Sequence, residues 1–194
     1  MFLDRTTVVA LDFETTGQVR GQQNLPWQIG MVKIKKGNVR TEEGFSRYLR
    51  VPADYHFSPY TPGRWAEMRE ELAQCNSLIQ EWPEVGPWLE GAVLVAHNAP
   101  TERKMLRQAF PMHEFGPWID TLRLVRYAYP NLPSYALSDL LETLGLKQQV
   151  DAVCSGLAPH DAYYDAVACA FLLVHICTTT EFGNWGVELL STLK

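Results

Sequence analysis

The first apolar run, Thr6 to Leu11 (Thr-Thr-Val-Val-Ala-Leu), is β-branched and hydrophobic and reads as a buried central strand. Gln28 to Lys35 reads as a second strand, Lys36-Gly37-Asn38 carries turn chemistry, and Phe45 to Val51 alternates as a third. Together they form an antiparallel meander. Segment 62–90 is helical in pattern but interrupted by Pro83, Gly86 and Pro87. Ala92 to Ala96 is a short apolar strand, followed by a helix over Pro100–Phe110 with Pro at a tolerated first-turn position. Trp118-Ile119 suits a short last strand, and helices are expected over Thr121–Ala128, Ala136–Leu144 and Asp161–Thr178, with an amphipathic piece over Phe182–Leu193. A meander followed by strand–helix alternation predicts an α/β domain with a mixed sheet. Pro52–Gly63, with three prolines and several aromatic or His residues, predicts an irregular functional loop.

Composition narrows the class. The 194 residues, 46% hydrophobic and 20% charged, suit one domain over 1–194. No apolar run approaches the ~20 residues that span a bilayer, so no membrane is expected. Met1-Phe-Leu-Asp-Arg5 carries an acid and leads straight into a strand, unlike a signal peptide. Cys75, Cys154, Cys169 and Cys177 lack CxxC spacing, which favours reduced thiols and a cytoplasmic location. The net charge of −5 is unlike that of a nucleic-acid-binding protein. The basic residues are grouped, however: Lys33, Lys35, Lys36 and Arg40 around one turn, and Arg103, Lys104 and Arg107 in one helical segment. Either group is ordinarily a solvated face, and either can hold phosphates.

Three segments carry candidate chemistry. Asp12 and Glu14 end the first strand and project to the same side, with Phe13 on the other. Two carboxylates that close repel each other unless a cation lies between them; the plain alternative is a solvated, inert strand end. The second segment is His97-Asn-Ala-Pro-Thr-Glu102 at a strand–helix junction. There Glu102 could simply answer the positive end of the helix dipole. The third is His160-Asp-Ala-Tyr-Tyr-Asp165, whose outer residues are about 140° apart on a helix. With Asp161 as the helix cap, His160 lies in the lead-in and can swing over the site holding Asp165. Taken alone, His160 is better explained as a structural residue, because a lone His before a helix is more often structural than catalytic. Ala162, Ala166, Cys169 and Ala170 form a small-residue stripe that would let this helix approach the sheet closely.

Taken in order, Asp12-Phe-Glu14-Thr-Thr-Gly17, His97-Asn-Ala-x-x-Glu102 and His160-x-x-x-x-Asp165-Ala166 make the chain resemble the DEDDh 3′→5′ exonucleases. Relatives in that family include the proofreading epsilon subunit of bacterial replicative polymerase, ribonuclease T and oligoribonuclease. Gln28-Ile-Gly-Met-Val32 and Asp120-Thr-Leu support the match, which covers nearly the whole chain. The family normally carries Asp where Glu102 stands; Glu keeps the charge but sits one methylene further from its backbone.

The resemblance implies a ribonuclease H-like fold with a mixed five-stranded sheet. It also implies two divalent cations, Mg²⁺ or Mn²⁺, about 4 Å apart and held by Asp12, Glu14, Glu102 and Asp165, with His160 as general base. The expected reaction removes nucleoside 5′-monophosphates from the 3′ end of single-stranded DNA or RNA. Thr15, Thr16 and Gly17 are the candidates to hold the terminal nucleotide, and Phe57 and Tyr60 offer stacking surfaces. A polymerase or other replication or repair subunit, or a second copy of the chain, are partners compatible with the resemblance. His97 and Asn98 are expected to fix the turn that presents Glu102, and Asp120 to cap the following helix. The rival readings are a catalytically weakened, nucleic-acid-binding or polymerase-associated module, with Glu102 as the lesion, and a nuclease-like phosphatase of short oligonucleotides or nucleotides.

Overall fold

The computed structural model describes residues 2–193. Its centre is β1 (Val8–Thr15), whose apolar residues leave no exposed face. β2 (Pro26–Lys35) pairs with it antiparallel and β4 (Val93–Ala96) parallel; β3 (Asn38–Tyr48) and β5 (Trp118–Asp120) complete the order β3-β2-β1-β4-β5. This is the mixed five-stranded sheet that was expected.

The β2–β3 connection turns through Lys36 and Gly37, both at positive φ, the conformation that matches the twist of a tight hairpin. β3 therefore begins at Asn38, seven residues before the predicted start at Phe45, and ends at Tyr48 rather than Val51. Its first half, Asn-Val-Arg-Thr-Glu-Glu-Gly, is an edge strand with one face in water, so hairpin pairing specifies it without an apolar signal.

The helices are α1 (Arg69–Gln74), α2 (Trp82–Leu89), α3 (Pro100–Ala109), α4 (Thr121–Ala128), α5 (Leu137–Thr143), α6 (Lys147–Val153), α7 (Ala162–Thr179) and α8 (Val187–Thr192). α6 escaped prediction because only Val150 among its seven residues is buried, which leaves no periodicity. The expected helix over Phe182–Leu193 is instead a 3₁₀ turn (Glu181–Asn184) and α8, separated at Trp185-Gly186. The loop between Pro52 and Gly63 is irregular, as expected.

Strand alternation sorts the core into two layers. Val9, Leu11 and Phe13 face Val85 and Leu89 of α2 and Met105 and Leu106 of α3. Val8 and Ala10 face the other layer, where α7 packs with residues of α4, α5 and α6. Asp12 and Glu14 continue the Val8–Ala10 series and so end on the α7 side. With mean hydropathy 1.4 over 18 residues, α7 is long and apolar enough to cross a membrane by composition alone, but 61% of it is buried in the core. A helix apolar all round is what a position between sheet and helices requires.

The seat of α7 on the sheet is set by small residues. A Cβ on Gly30 would strike the backbone of Ala162 and Tyr163, and one on Gly44 would strike the Tyr163 ring. Only glycine permits so close an approach at these two positions. The small-residue stripe of α7, including Ala162, Ala166, Cys169 and Ala170, is buried there.

Candidate active site

The register of β1 and β2 builds half of the site. Asp12 lies opposite Gly30, and Glu14 lies opposite Gln28, so all four occupy the same face. Gly30 admits the start of α7. Gln28, buried in that face, holds it: Nε2 donates to Asp161 Oδ2 at 2.8 Å and Oε1 accepts from the Ala162 N–H at 3.2 Å. The other oxygen of Asp161 accepts from the Tyr163 and Tyr164 N–H groups at 3.0 and 3.2 Å, capping α7 as predicted. The residues that oppose the two strand acids thus bring the third segment to them.

His160 sits just before that cap at φ 69°, a left-handed conformation uncommon outside glycine. Its backbone N–H donates to Asp165 Oδ2 at 3.0 Å. Ligand atoms of Glu14, His160 and Asp165 all lie within 4.8 Å of one another, a group able to hold a metal ion. The lead-in geometry expected for His160 is therefore present: the residue is exposed, at the mouth of the cluster, while Asp165 stands in the first turn of α7.

β4 and α3 build the other half. His97 is fixed through both ring nitrogens, Nδ1 with Thr121 Oγ1 at 3.0 Å and Nε2 with the Tyr135 carbonyl at 2.9 Å. Asn98 adopts φ 71°, which its short polar side chain tolerates. Asp120 accepts from the N–H groups of Asn98 and Ala99 at 3.1 and 3.2 Å, and caps α4 through Leu122 N–H at 3.0 Å. Its capping role was expected; its grip on the β4–α3 turn was not, because only the parallel pairing of β4 and β5 brings it there. That turn delivers Glu102, which is 3% exposed, in the first turn of α3.

The electrostatics show how these acids bear on one another. Burial first, then the charges of Glu102, Asp165 and Glu14, hold the Asp12 carboxyl well above the usual carboxylate range. Burial, then Asp165 and Asp161, pushes Glu14 up to about 8. Glu102 is likewise raised to about 8, by burial and then by Asp120 and Glu14, and Asp165 to about 6, chiefly by burial. Each charge is costly because it is desolvated next to its own kind. Glu102 Oε2 is buried with no hydrogen-bond partner among the described residues. An orphaned carboxylate oxygen and a set of mutually repelling, all-oxygen donors fit a hard divalent cation.

On the substrate side the predicted residues divide. Thr16 is committed to the fold: its N–H donates to the Leu25 carbonyl, its Oγ1 accepts from the Leu25 N–H, and its carbonyl accepts from Ser58 N–H and Thr61 Oγ1. These bonds pin the 58–61 loop beside Gly17, where an added Cβ would meet Thr61 and Ser58. Phe57 is stacked on Trp65 at 4.3 Å, with the Arg69 guanidinium 4.9 Å from its ring, and so anchors the loop. Tyr60, two residues beyond Ser58, is 92% exposed. Thr15 Oγ1 accepts from Asn24 Nδ2 at 3.2 Å.

Known proteins resemble this chain in sequence and fold. A family model described as an exonuclease matches residues 9–173. The PolC-type DNA polymerase III of Streptococcus thermophilus is 30% identical over 99% of this chain, and that of Bacillus subtilis 28% identical over 89%. The chain spans 12% of the length of the Streptococcus polymerase and 11% of the Bacillus one. Among solved structures, exonuclease X in complex with 5′ overhanging duplex DNA is 26% identical, with a TM-score of 0.70 over 96% of this chain and 98% of that one. The nuclease domain of 3′hExo, a DEDDh family member bound to rAMP, shares the fold at 17% identity, TM-score 0.70, over 89% and 92% of the two chains. The fold is therefore that of the ribonuclease H-like exonucleases. This chain belongs to the DEDDh exonuclease family, and its domain is that of a hydrolytic exonuclease.

Proposed function

We propose that the domain removes nucleotides from the 3′ end of a DNA strand in the 3′→5′ direction, releasing nucleoside 5′-monophosphates, with two divalent cations, Mg²⁺ or Mn²⁺, at the carboxylate cluster. The observation that carries this reading is the meeting of acids from three remote segments at one end of β1, with His160 at their mouth. That end lies where the sheet order reverses between antiparallel β2 and parallel β4, the usual place for a ligand in an open α/β sheet.

Asp12, Glu14, Glu102 and Asp165 would hold the cations, which supply charge compensation for an anionic phosphodiester and make a water acidic enough to act near neutral pH. His160 accepts the proton of the attacking water. The water oxygen bonds to phosphorus, the bond from phosphorus to the O3′ of the penultimate nucleotide breaks, and the shortened strand is left with a new 3′-hydroxyl. Tyr60 is the exposed ring available for stacking on a terminal base, and Thr15 and Gly17, within three residues of Glu14, are the candidates to hold the terminal nucleotide. The likeness to PolC-type DNA polymerases and to exonuclease X on DNA supports DNA over RNA as substrate. It also supports association with a polymerase.

A 5′-labelled oligonucleotide with Mg²⁺ or Mn²⁺ tests the reading, with DNA and RNA strands in parallel. A ladder of shortened DNA products is expected; no shortening with either metal rejects it. Glu102 in place of Asp favours a second reading, a weakened module that binds a strand without efficient turnover. Glu102→Asp separates the two. Unchanged or lower activity supports a tuned enzyme, and a gain of about tenfold or more, ~1.4 kcal/mol in barrier, supports the weakened module.

A further inference from the structure

The two basic groups of this acidic chain meet different fates in the fold. On the β2–β3 hairpin three of the four cations are paired, Lys33 and Lys35 from the facing strand and Arg40 from its own, while Lys36 in the turn has no ion pair among the described residues. Lys35 donates to Glu43 Oε2 at 2.6 Å, Lys33 lies 3.8 Å from the same carboxylate and 4.4 Å above the Trp88 ring, and Arg40 is 2.8 Å from Glu42. On α3, exposed Arg103, Lys104 and Arg107 have no ion pair or hydrogen-bond partner among the described residues. Like charges one helical turn apart oppose helix formation, so these three add nothing to the fold through charge.

What they do is line cavities. Arg103 and Arg107 border one of 420 Å³ whose other walls include Phe115 and Trp118, and with Lys104 they border an adjoining one of 340 Å³. The aromatic wall is fixed: Trp118 Nε1 donates to the Phe115 carbonyl at 2.9 Å, and His113 stacks on Phe115 at 5.9 Å. Glu114 also lines the larger cavity and makes no ion pair with either arginine among the described residues.

We propose that this outer face of α3 is a phosphate track, on which Arg103, Lys104 and Arg107 hold the phosphodiester backbone of the nucleic acid that enters the carboxylate cluster. The inference rests on the domain acting on nucleic acid strands, and names the surface that holds them away from the scissile bond. Glu102 turns its carboxylate inward from the first turn of the same helix, so the track starts beside the site and leads away from it. Arg103 and Arg107 are one turn apart, about 6 Å along the axis, within the span of one or two phosphates of a strand. Guanidinium forks match phosphate oxygens in geometry as well as charge. A track of this kind also answers the electrostatic problem of a protein of net charge −5 with an acidic pocket, which would otherwise repel its polyanionic substrate. The phosphates can come from the strand being degraded or from a complementary strand paired with it.

The test compares wild type with Arg103→Ala/Arg107→Ala on three substrates: a dinucleotide, a 20-nucleotide single strand, and that strand paired to leave a recessed 3′ end. Cleavage is measured with Mg²⁺, and binding of the two longer substrates by anisotropy in EDTA over a range of salt. Two lost phosphate contacts should flatten the slope of log K against log salt by about 1.4 for the single strand and about 1.8 for the duplex. KM for the affected substrate should rise at least tenfold more than for the dinucleotide. A loss on both long substrates assigns the track to the degraded strand, and a loss confined to the duplex assigns it to the complement. Arg103→Lys/Arg107→Lys should keep the slope, and Lys33→Ala/Lys35→Ala should leave it as in wild type. An unchanged slope in Arg103→Ala/Arg107→Ala, or an equal loss on the dinucleotide, overturns the proposal. Absence of cleavage by wild type would count against nuclease activity, while the binding arm still judges the track.

Discussion

Glu102 and Arg103 are neighbours on α3, yet one carries its charge into the protein and the other carries it out to water. The regions they belong to obey different electrostatics. In the carboxylate cluster, desolvation and mutual repulsion raise every acid, so the charges are a cost to the fold that a bound proton or a cation must offset. On the outer face of α3 the cations are solvated, their repulsion is screened within about 10 Å at 0.1 M salt, and they cost little. A charge that destabilises the fold marks where chemistry needs it. A charge that neither helps nor harms the fold marks where a long, charged ligand can lie.

Among the buried acids, Asp12 should show the largest effect. Asp12→Asn removes the charge that Glu102, Asp165 and Glu14 all oppose. Turnover should fall at least as far as on loss of a general base, ~10²- to 10⁴-fold. At pH 8.5, where the cluster bears most charge, the metal-free protein should nonetheless melt higher, by about 2–4 °C for each kcal/mol of repulsion relieved. Activity near wild type together with a lower melting temperature would mean that the acids are not under electrostatic strain.

His160 comes next, because it stands at the edge of the cluster instead of inside it. His160→Ala should reduce kcat by ~10²- to 10⁴-fold while keeping most of the stabilisation that Mn²⁺ confers on melting. Rates near wild type would remove the imidazole from the mechanism, and loss of Mn²⁺ stabilisation would make it chiefly a ligand.

The smallest effect expected is on stability against pH. Glu14 and Glu102 rise from 4.5 to about 8 in the folded protein and Asp165 from 3.8 to about 6, so between those limits the native state binds more protons than the unfolded chain. Stability of the metal-free protein therefore falls as pH rises from about 5 to about 8, with the slope that linkage requires. A divalent cation displaces those protons, so its stabilisation should grow across the same window, reaching about 2.7 kcal/mol at a hundred times its dissociation constant. Melting curves in EDTA and in MnCl₂ at pH 5.5 and 8.5 measure this. A metal-free melting temperature that climbs with pH would contradict the raised carboxylates.

Much of the molecule is legible in local pattern. Asp12 and Glu14 share a face because strand side chains alternate, and Lys36-Gly37 closes a hairpin because its residues accept positive φ. Asp161 and Asp120 cap the helices that follow them because an acidic side chain reaches N–H groups two and three residues on. Each is a property of a few consecutive residues. The motifs that carry the family resemblance are of the same short range, which is why the family is legible in the sequence.

Tertiary structure alone decided the rest, because those features join residues far apart in the chain. Gln28 and Gly30 seat α7 by virtue of the β1–β2 register, and neither residue announces a partner more than 130 positions away. Thr16 and Phe57 proved to be bonded into the loop that carries exposed Tyr60, a matter of which neighbours folding supplied. Two basic groups of equal promise in sequence became a largely paired hairpin and an unpaired helix face, since strand pairing set Glu43 beside Lys33 and Lys35 and no acid pairs with the α3 cations among the described residues. Sequence determines which charges a segment carries; packing determines which of them keep a partner and which are left for a ligand.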